Sequence, residues 1–385
     1  MALVNILAIN AGSSSLKASL FQLTAPGEDG DASTGLCWEA DSAAPEQPLG
    51  ALLSGLWGAS GPGLSGPESV GVIGHRVVHG GATLTESHRL TPAVRSEIAR
   101  VAEVAPAHNA AALALIDAAT DLFGGDTPQV AVFDTAFHRT MAPAAYAYPG
   151  PYAWLAEGIR RYGFHGISHQ YASHRAARLL GRAPEEVRIV TCHLGSGCSL
   201  AAVQGGRSVD TTMGFTPLDG LAMATRSGAL DPGILLHLLR HGGHTVDSLD
   251  HLLHHDSGLA GLSGTSGDMR AVLVRVDAGD ARARLALDVF VHRVRQGIAA
   301  MAATMGGLDA LVFTGGVGEH ASRVRADVCA PLGFLGVSLD PARNAASAGE
   351  AEISGPDARA RVLVLPAQEN WMIARESFRV ARRPV

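Results

Sequence analysis

The chain has 385 residues, with 30 lysines and arginines against 36 aspartates and glutamates, for a formal net charge of -6. That length exceeds a single core and predicts two domains, which implies a cleft. An acidic balance with no basic run interleaved with aromatics argues against a nucleic-acid face, and no apolar run approaches the ~20 residues of a membrane span. The four cysteines, Cys37, Cys192, Cys198 and Cys329, lack the spacing of a zinc site or a disulfide framework, and nothing near Met1 resembles a cleaved leader. The expectation is a reduced, cytoplasmic protein.

Residues 3–9 and 16–22 read as a hairpin, turned through Asn10-Ala11-Gly12-Ser13-Ser14-Ser15. Lys17, just past that turn, is the only lysine in the chain, placing a compact ammonium where arginine is otherwise preferred. The ends of the segment 24–68 are rich in Gly, Ala, Ser and Pro and read as loops. "VGVIGHRVVHGG" (70–81) is a buried strand entering a glycine turn, two helices follow with a break near Pro106, and "QVAVFDTAFH" (129–138) is a strand ending on an aspartate. "RIVTCHLGSGCSLAAVQGG" (188–206) then repeats the first pattern of strand, small-residue turn and strand, about 180 residues later. This predicts duplicated lobes. A long amphipathic helix (283–306), a strand into "TGGVGEH" (314–320), the strand "RVLVLPAQEN" (361–370) and a helix from Trp371 to Val380 complete an α/β pattern with glycine turns at strand ends.

Such turns converge backbone N–H groups on anions, and three of them following apolar strands suggest a nucleotide phosphate, although none has P-loop spacing. Arg76 and Arg226 sit among apolar and small residues. A guanidinium buried there needs either an anionic ligand or an internal partner, with Asp134 and Asp231 as candidates. His165 and His169 lack the acidic residue of a zinc motif, so His165 reads as a donor beside Phe164. Glu369 is placed either to serve a divalent cation, which takes few carboxylates when phosphates share it, or to start the last helix.

Taken together and in order, "NAGSSSLK", "GHRVVHGG", "VFDTAFH", "RRYGFHGISH", "HLGSGCSL", "MGFTPLDGLAMATRSGALDP" and "VFTGGVGEH" resemble the signature of the acetokinase family, within the sugar kinase, Hsp70 and actin superfamily. The resemblance implies two duplicated ribonuclease-H-like domains with the actin-like ATPase fold around a central cleft. They would span 1–150, completed by the C-terminal helix 371–385, and 151–370. It further implies a homodimer that transfers phosphate reversibly from ATP to acetate, giving acetyl phosphate and ADP.

By motif, the resemblance assigns Arg76, Asp134, His165 and Arg226 to catalysis, and Val78, Ala107, Phe164 and Pro217 to the acyl pocket. Ser13, Ser15 and Lys17 in the first hairpin, with His193, Gly195, Ser196 and Gly197 in the second, would face phosphates. Asp268, Met269 and Arg270, with Gly316, Val317 and Gly318, would bind adenosine. Asn10 and Glu369 would serve Mg²⁺ or Mn²⁺. Four positions depart from the pattern: Ser196 for an asparagine, Ile167 for a threonine, His320 for an asparagine and Ala107 for a leucine. The last opens propionate or butyrate as acceptors. An ATP-driven switch of the same superfamily is the reading from another class; it would show no dependence on an added carboxylate.

Overall fold

Apolar β-rich runs punctuated by glycine turns become two sheets in the computed structural model, which describes residues 3–12, 15–24, 35–43, 47–57, 61–102 and 106–383, with only the backbone of 106–108. The first sheet is built from β1 (Val4–Ala11), β2 (Leu16–Leu23), β3 (Leu36–Ser42), β4 (Val72–Val77), β5 (His88–Arg89) and β6 (Gln129–Phe133). The second contains β7 (Arg188–Leu194), β8 (Cys198–Gln204), β9 (Arg207–Thr211), β10 (Ala310–Thr314), β11 (Ala351–Glu352) and β12 (Arg361–Val364).

Their strand orders are β3-β2-β1-β4-β6-β5 and β9-β8-β7-β10-β12-β11. The directions also match: β1–β2–β3 and β7–β8–β9 are antiparallel meanders, while β4 and β6, like β10 and β12, run parallel to the first strand of their sheet. The predicted duplication is therefore present strand for strand, well beyond the two hairpins.

The chain forms two compact units, one of Met1–Arg139, Phe164–Tyr171 and Gln368–Val385, the other of Thr140–Gly163 and Ala172–Ala367. The chain thus passes between units at different points from the expected 150/151 and 370/371, and a short piece, 164–171, returns to the first unit.

In the first unit, helix Glu369–Ala381 lays Trp371, Met372, Ile373, Ala374 and Phe378 against Ile6, Ala8, Val72, Val130 and Val132. Alternate residues of β1 and β2, Leu7, Ile9, Leu16, Ala18 and Leu20, face the other way, onto Leu49, Leu53, Ala119 and Phe123. Strands covered on both faces must be apolar throughout, which is why β1 reads as a continuous run. Each fully buried aliphatic side chain here contributes roughly 1.5–3 kcal/mol relative to exposure. In the second unit the long helix Ala281–Thr304 buries Leu287, Phe290, Val294, Ile298 and Met301, spaced three or four apart.

In the centre of the stretch 24–68, where no element was expected or excluded, β3 pairs with β2, and its side chains alternate between exposed and half-buried. Two local readings differ. The strand at 129 ends at Phe133, and Ala136–Thr140 is a short helical turn in place of the strand's expected continuation to 138. "TGGVGEH" is also a helix, Gly315–His320, where an open turn was expected.

Candidate active site

In the first unit the parallel strands β1, β4 and β6 end near one another and deliver Asn10, Arg76 and Asp134. Arg76 donates from Nε to Asp134 Oδ1 at 3.1 Å and from Nη2 to Asp134 Oδ2 at 2.6 Å. Its Nη1 donates to Asn10 Oδ1 and to the Ala11 carbonyl, both at 3.3 Å. Both members of the pair are almost fully buried, with 10% and 1% side-chain exposure. Burial alone would depress the Arg76 pKa. The charges of Asp134 and Glu369 and the Asp134 hydrogen bonds outweigh it and hold the guanidinium above its ordinary value. It stays cationic at any working pH.

Asn10 in turn donates from Nδ2 to Glu369 Oε2 at 2.9 Å and to Asn370 Oδ1 at 3.1 Å, and Asn370 Nδ2 donates to Ser19 Oγ at 2.7 Å. Glu369 is the first residue of the C-terminal helix, where a carboxylate also meets the positive end of the helix dipole. A chain of contacts from Asp134 through Arg76 and Asn10 to Glu369 thus joins three strand ends and a helix start. Asn370 and Ser19 were not foreseen; Asn370 follows Glu369 in "QEN", and that adjacency was the available signal.

His165 has φ 55, the only positive φ at a non-glycine among the described residues. Such a backbone costs energy and persists where its surroundings impose it. Here Gly166 N donates to the Asp134 carbonyl at 2.9 Å, and a Cβ on Gly166 would lie 2.0 Å from that oxygen. Only glycine allows the loop to press onto the end of β6. Phe164, 1% exposed, packs edge-on against His79, with ring centroids 5.4 Å apart, and its carbonyl meets His138 Nε2 at 3.0 Å. Val78 is buried on the same turn, whose His79 is bridged by Asn109 through its backbone N–H and carbonyl. Lys17 Nζ lies 3.6 Å from Asp41 Oδ2 with both side chains about half exposed. Ser15 accepts the Gly12 N–H through its carbonyl at 2.8 Å. Ser13, and the side chain of Ala107 in helix Pro106–Phe123, lie outside the described residues.

In the second unit the β7–β8 hairpin pairs His193 with Ser199 and closes with Gly195 N donating to the Gly197 carbonyl at 3.0 Å. Ala224 N donates to the Ser196 carbonyl at 3.1 Å, which fastens the Arg226 loop to the hairpin tip. Arg226 Nη1 donates to the Pro217 carbonyl at 3.2 Å. Asp231 does not pair with an arginine of the site; it caps helix Pro232–His241 by accepting from Gly233 N. Arg161 holds the strand before Pro217 by donating to the carbonyls of Thr211, Thr212 and Met213. Burial pushes the Cys198 thiol up to about 12 despite the nearby Arg226, so it is inert at neutral pH. Asp268 caps helix Met269–Asp277 and pairs with Arg270 at 2.6 Å, while Met269 is buried. Gly316 is exposed, Val317 half-buried and Gly318 buried. Of the departures, Ile167 sits in the core beside Trp371, and Ser196 and His320 are exposed. No group of three or more metal-capable side chains occurs among the described residues, and no described helix is long and apolar enough to cross a membrane.

A profile of the acetokinase family matches residues 63–375. The chain belongs to the acetokinase family. Among acetokinase relatives, the acetate kinase of Gloeobacter violaceus is 56% identical over 86% of this chain and 82% of its own length. That of a Synechococcus strain is 52% identical over 96% and 98%. Two solved structures superpose over 98% of this chain and their full length: an acetate kinase from Porphyromonas gingivalis, TM-score 0.88 at 35% identity, and a propionate kinase from Francisella tularensis, TM-score 0.86 at 34%. These acetokinase neighbours and the repeated strand order agree with two duplicated α/β domains of the actin-like ATPase class.

Proposed function

We propose that the protein is an ATP:acetate phosphotransferase that moves the ATP γ-phosphate reversibly to acetate, giving acetyl phosphate and ADP. The observation that supports it best is the Arg76 guanidinium, fixed by Asp134 and Asn10 and kept charged. A short-chain acid is ionised at pH 7, so it needs no general base. What opposes reaction is repulsion between two anions, and phosphoryl transfer is catalysed chiefly by positioning and fixed positive charge. A carboxylate oxygen forms the new bond to phosphorus in line with the bond to the ADP oxygen that breaks, and both electrons of that bond leave with ADP.

Arg76 and Arg226 would hold the carboxylate and the transferring phosphoryl group, and His165 would donate to a phosphoryl oxygen from its constrained backbone. Val78, Phe164, Pro217 and Ala107 would bound the acyl group. The two glycine hairpins and Lys17 would receive phosphates, and Asp268–Arg270 with Gly316–Gly318 the adenosine. Mg²⁺, or Mn²⁺ in its place, would neutralise phosphate charge when bound. Glu369 would supply a carboxylate to such an ion, which takes only one or two, and Asn10, whose amide donates to Glu369, would orient it. A reduced, cytoplasmic setting is proposed with this activity, since the spacing of the four cysteines suits neither a zinc site nor a disulfide framework.

The test is hydroxylamine trapping with ATP and formate, acetate, propionate or butyrate. Acyl hydroxamate is expected with acetate, and its absence with every acid ends the reading. Propionate is the second acceptor, favoured by Ala107: a leucine lost from the wall frees room for one methylene, worth up to ~0.8 kcal/mol or about fourfold in affinity. Acetate and propionate are expected within roughly threefold in kcat/KM. Ala107→Leu should shift the ratio toward acetate; a parent that prefers acetate more than tenfold, with the ratio unmoved by leucine, sinks the enlarged pocket.

A homodimer is proposed with this activity. Helix Pro232–His241 buries none of its residues, and Leu230, Ile234, Leu236, Leu239 and Val246 are exposed around it. Such an apolar patch is what a second copy would cover. Sedimentation should return twice the chain mass, and Leu236→Glu with Leu239→Glu should return one; monomeric parent protein would refute the dimer.

A further inference from the structure

Helix Gly315–His320 begins at the end of β10 without the usual cap. Its N-cap residue Thr314 makes no side-chain capping bond, and the buried Thr314 hydroxyl has no hydrogen-bond partner among the described residues. The first N–H groups of a helix need acceptors, and here Glu319 reaches back from within the helix to supply one. Its Oε1 accepts from Gly315 N at 3.1 Å, and the same oxygen accepts from Ala367 N at 3.0 Å, just beyond β12. A single carboxylate oxygen therefore ties the ends of β10 and β12. Gly315 has φ +77, and a Cβ there would lie 2.9 Å from the Leu194 carbonyl oxygen, so this turn also presses on β7 where its hairpin begins. The far end of the helix is held separately: the buried Arg325 donates from Nη1 to the carbonyls of Gly318 at 2.9 Å and Glu319 at 2.7 Å.

We infer that Glu319 is a positioning residue for the nucleotide: it sets the placement of Gly316–Gly318 over the second hairpin, given that those glycines receive the adenosine as proposed above. One oxygen that accepts both N–H donors fixes the spacing between the end of β10 and the segment after β12, and with it the turn between them. Removing the side chain leaves the Gly315 and Ala367 N–H groups without their acceptor. The cost then falls on the loop that meets ADP, while Arg325 and the strands keep the unit folded.

The experiment measures ADP binding by calorimetry and KM for ATP and acetate, with the melting temperature as a check on folding. For Glu319→Ala, ADP affinity and KM for ATP should worsen at least tenfold, with KM for acetate within about threefold of the parent. Glu319→Gln keeps an oxygen for both donors and should recover parental ADP affinity within threefold. Glu319→Asp keeps the charge but shortens the reach by one carbon; it should lose ADP affinity severalfold, and it serves if the alanine variant fails to fold. Parental ADP affinity in Glu319→Ala or Glu319→Asp would overturn the role. So would an equal loss toward ATP and acetate, or no recovery with glutamine. Gly316→Leu separates the underlying reading: nothing lies within 4 Å of a Cβ built there, so the variant is expected to fold with its side chain in the way of the proposed adenosine. If Gly316→Leu binds ADP normally, the adenosine is elsewhere. If it loses ADP while Glu319→Ala does not, only the positioning role fails.

Discussion

Arg76→Ala is expected to lower kcat for acetyl phosphate formation at least ~100-fold, the scale of removing one preorganised charge donor from a phosphoryl-transfer site. The measurement needs a companion, because the substitution removes the guanidinium that pairs with the buried Asp134, 1% exposed. Breaking such a pair from one side typically costs about 3–5 kcal/mol. The variant Arg76→Ala with Asp134→Ala removes both charges and should recover much of the lost stability, yet keep the full loss of turnover. If the double variant turns over within tenfold of the parent, Arg76 is a structural partner of Asp134 and nothing more. Arg76→Lys separates charge from geometry: an ammonium cannot make the bidentate contact to both Asp134 oxygens, so turnover should remain well below that of the parent.

Acid should destabilise the fold through His75. It is fully buried in β4, its Nε2 lies 2.7 Å from Gln129 Oε1, and its Nδ1 has no partner among the described residues. Burial drives the pKa down, the Gln129 contact opposes it only partly, and the value falls to about 4 from 6.5. The folded protein therefore excludes a proton that the unfolded chain takes up below pH 6.5. Stability is unaffected above that pH and falls as pH drops from 6.5 toward 4. The difference amounts to about 3 kcal/mol at pH 4, at 1.36 kcal/mol per pH unit. Denaturant unfolding at pH 7 and pH 4 should show the parent losing that much more than His75→Gln, whose amide can still donate to Gln129. Equal losses in the two proteins would rule His75 out as the acid-sensitive group.

The hairpins at Asn10 and at Gly195, the buried strands and the closing helix were legible in the sequence, because apolar runs on doubly covered strands and glycine turns are local signals. β3 was not, since an edge strand with half-exposed side chains inside a Gly/Pro-rich stretch carries no apolar alternation. The two-residue strands β5 and β11 are too short to leave a pattern, although they complete the match between the sheets. Arg76 was legible as a cation in search of an anion, and Asp134 as a candidate partner. Arg325 was not: it sits in an ordinary-looking helix, and its partners are carbonyls, an asparagine and a serine brought up by the fold. The run "GGVGEH" reads as a turn because three glycines oppose helix formation. In the fold, Glu319 and Arg325 hydrogen-bond to its two ends.

The route of the chain also determines when the protein can be finished. The first unit is interrupted after Arg139 and receives its last helix only from Gln368 onward. During synthesis, its sheet waits while more than two hundred further residues are added. At about 5–20 residues per second that wait is on the order of ten to fifty seconds. Throughout it, the apolar face formed by Ile6, Ala8, Val72, Val130 and Val132 lacks Trp371, Ile373 and Phe378. The second unit is nearly complete by then. The half of the molecule begun first is thus the half whose chain is completed last, so aggregation and chaperone capture are expected to fall on that unit before Gln368 is made.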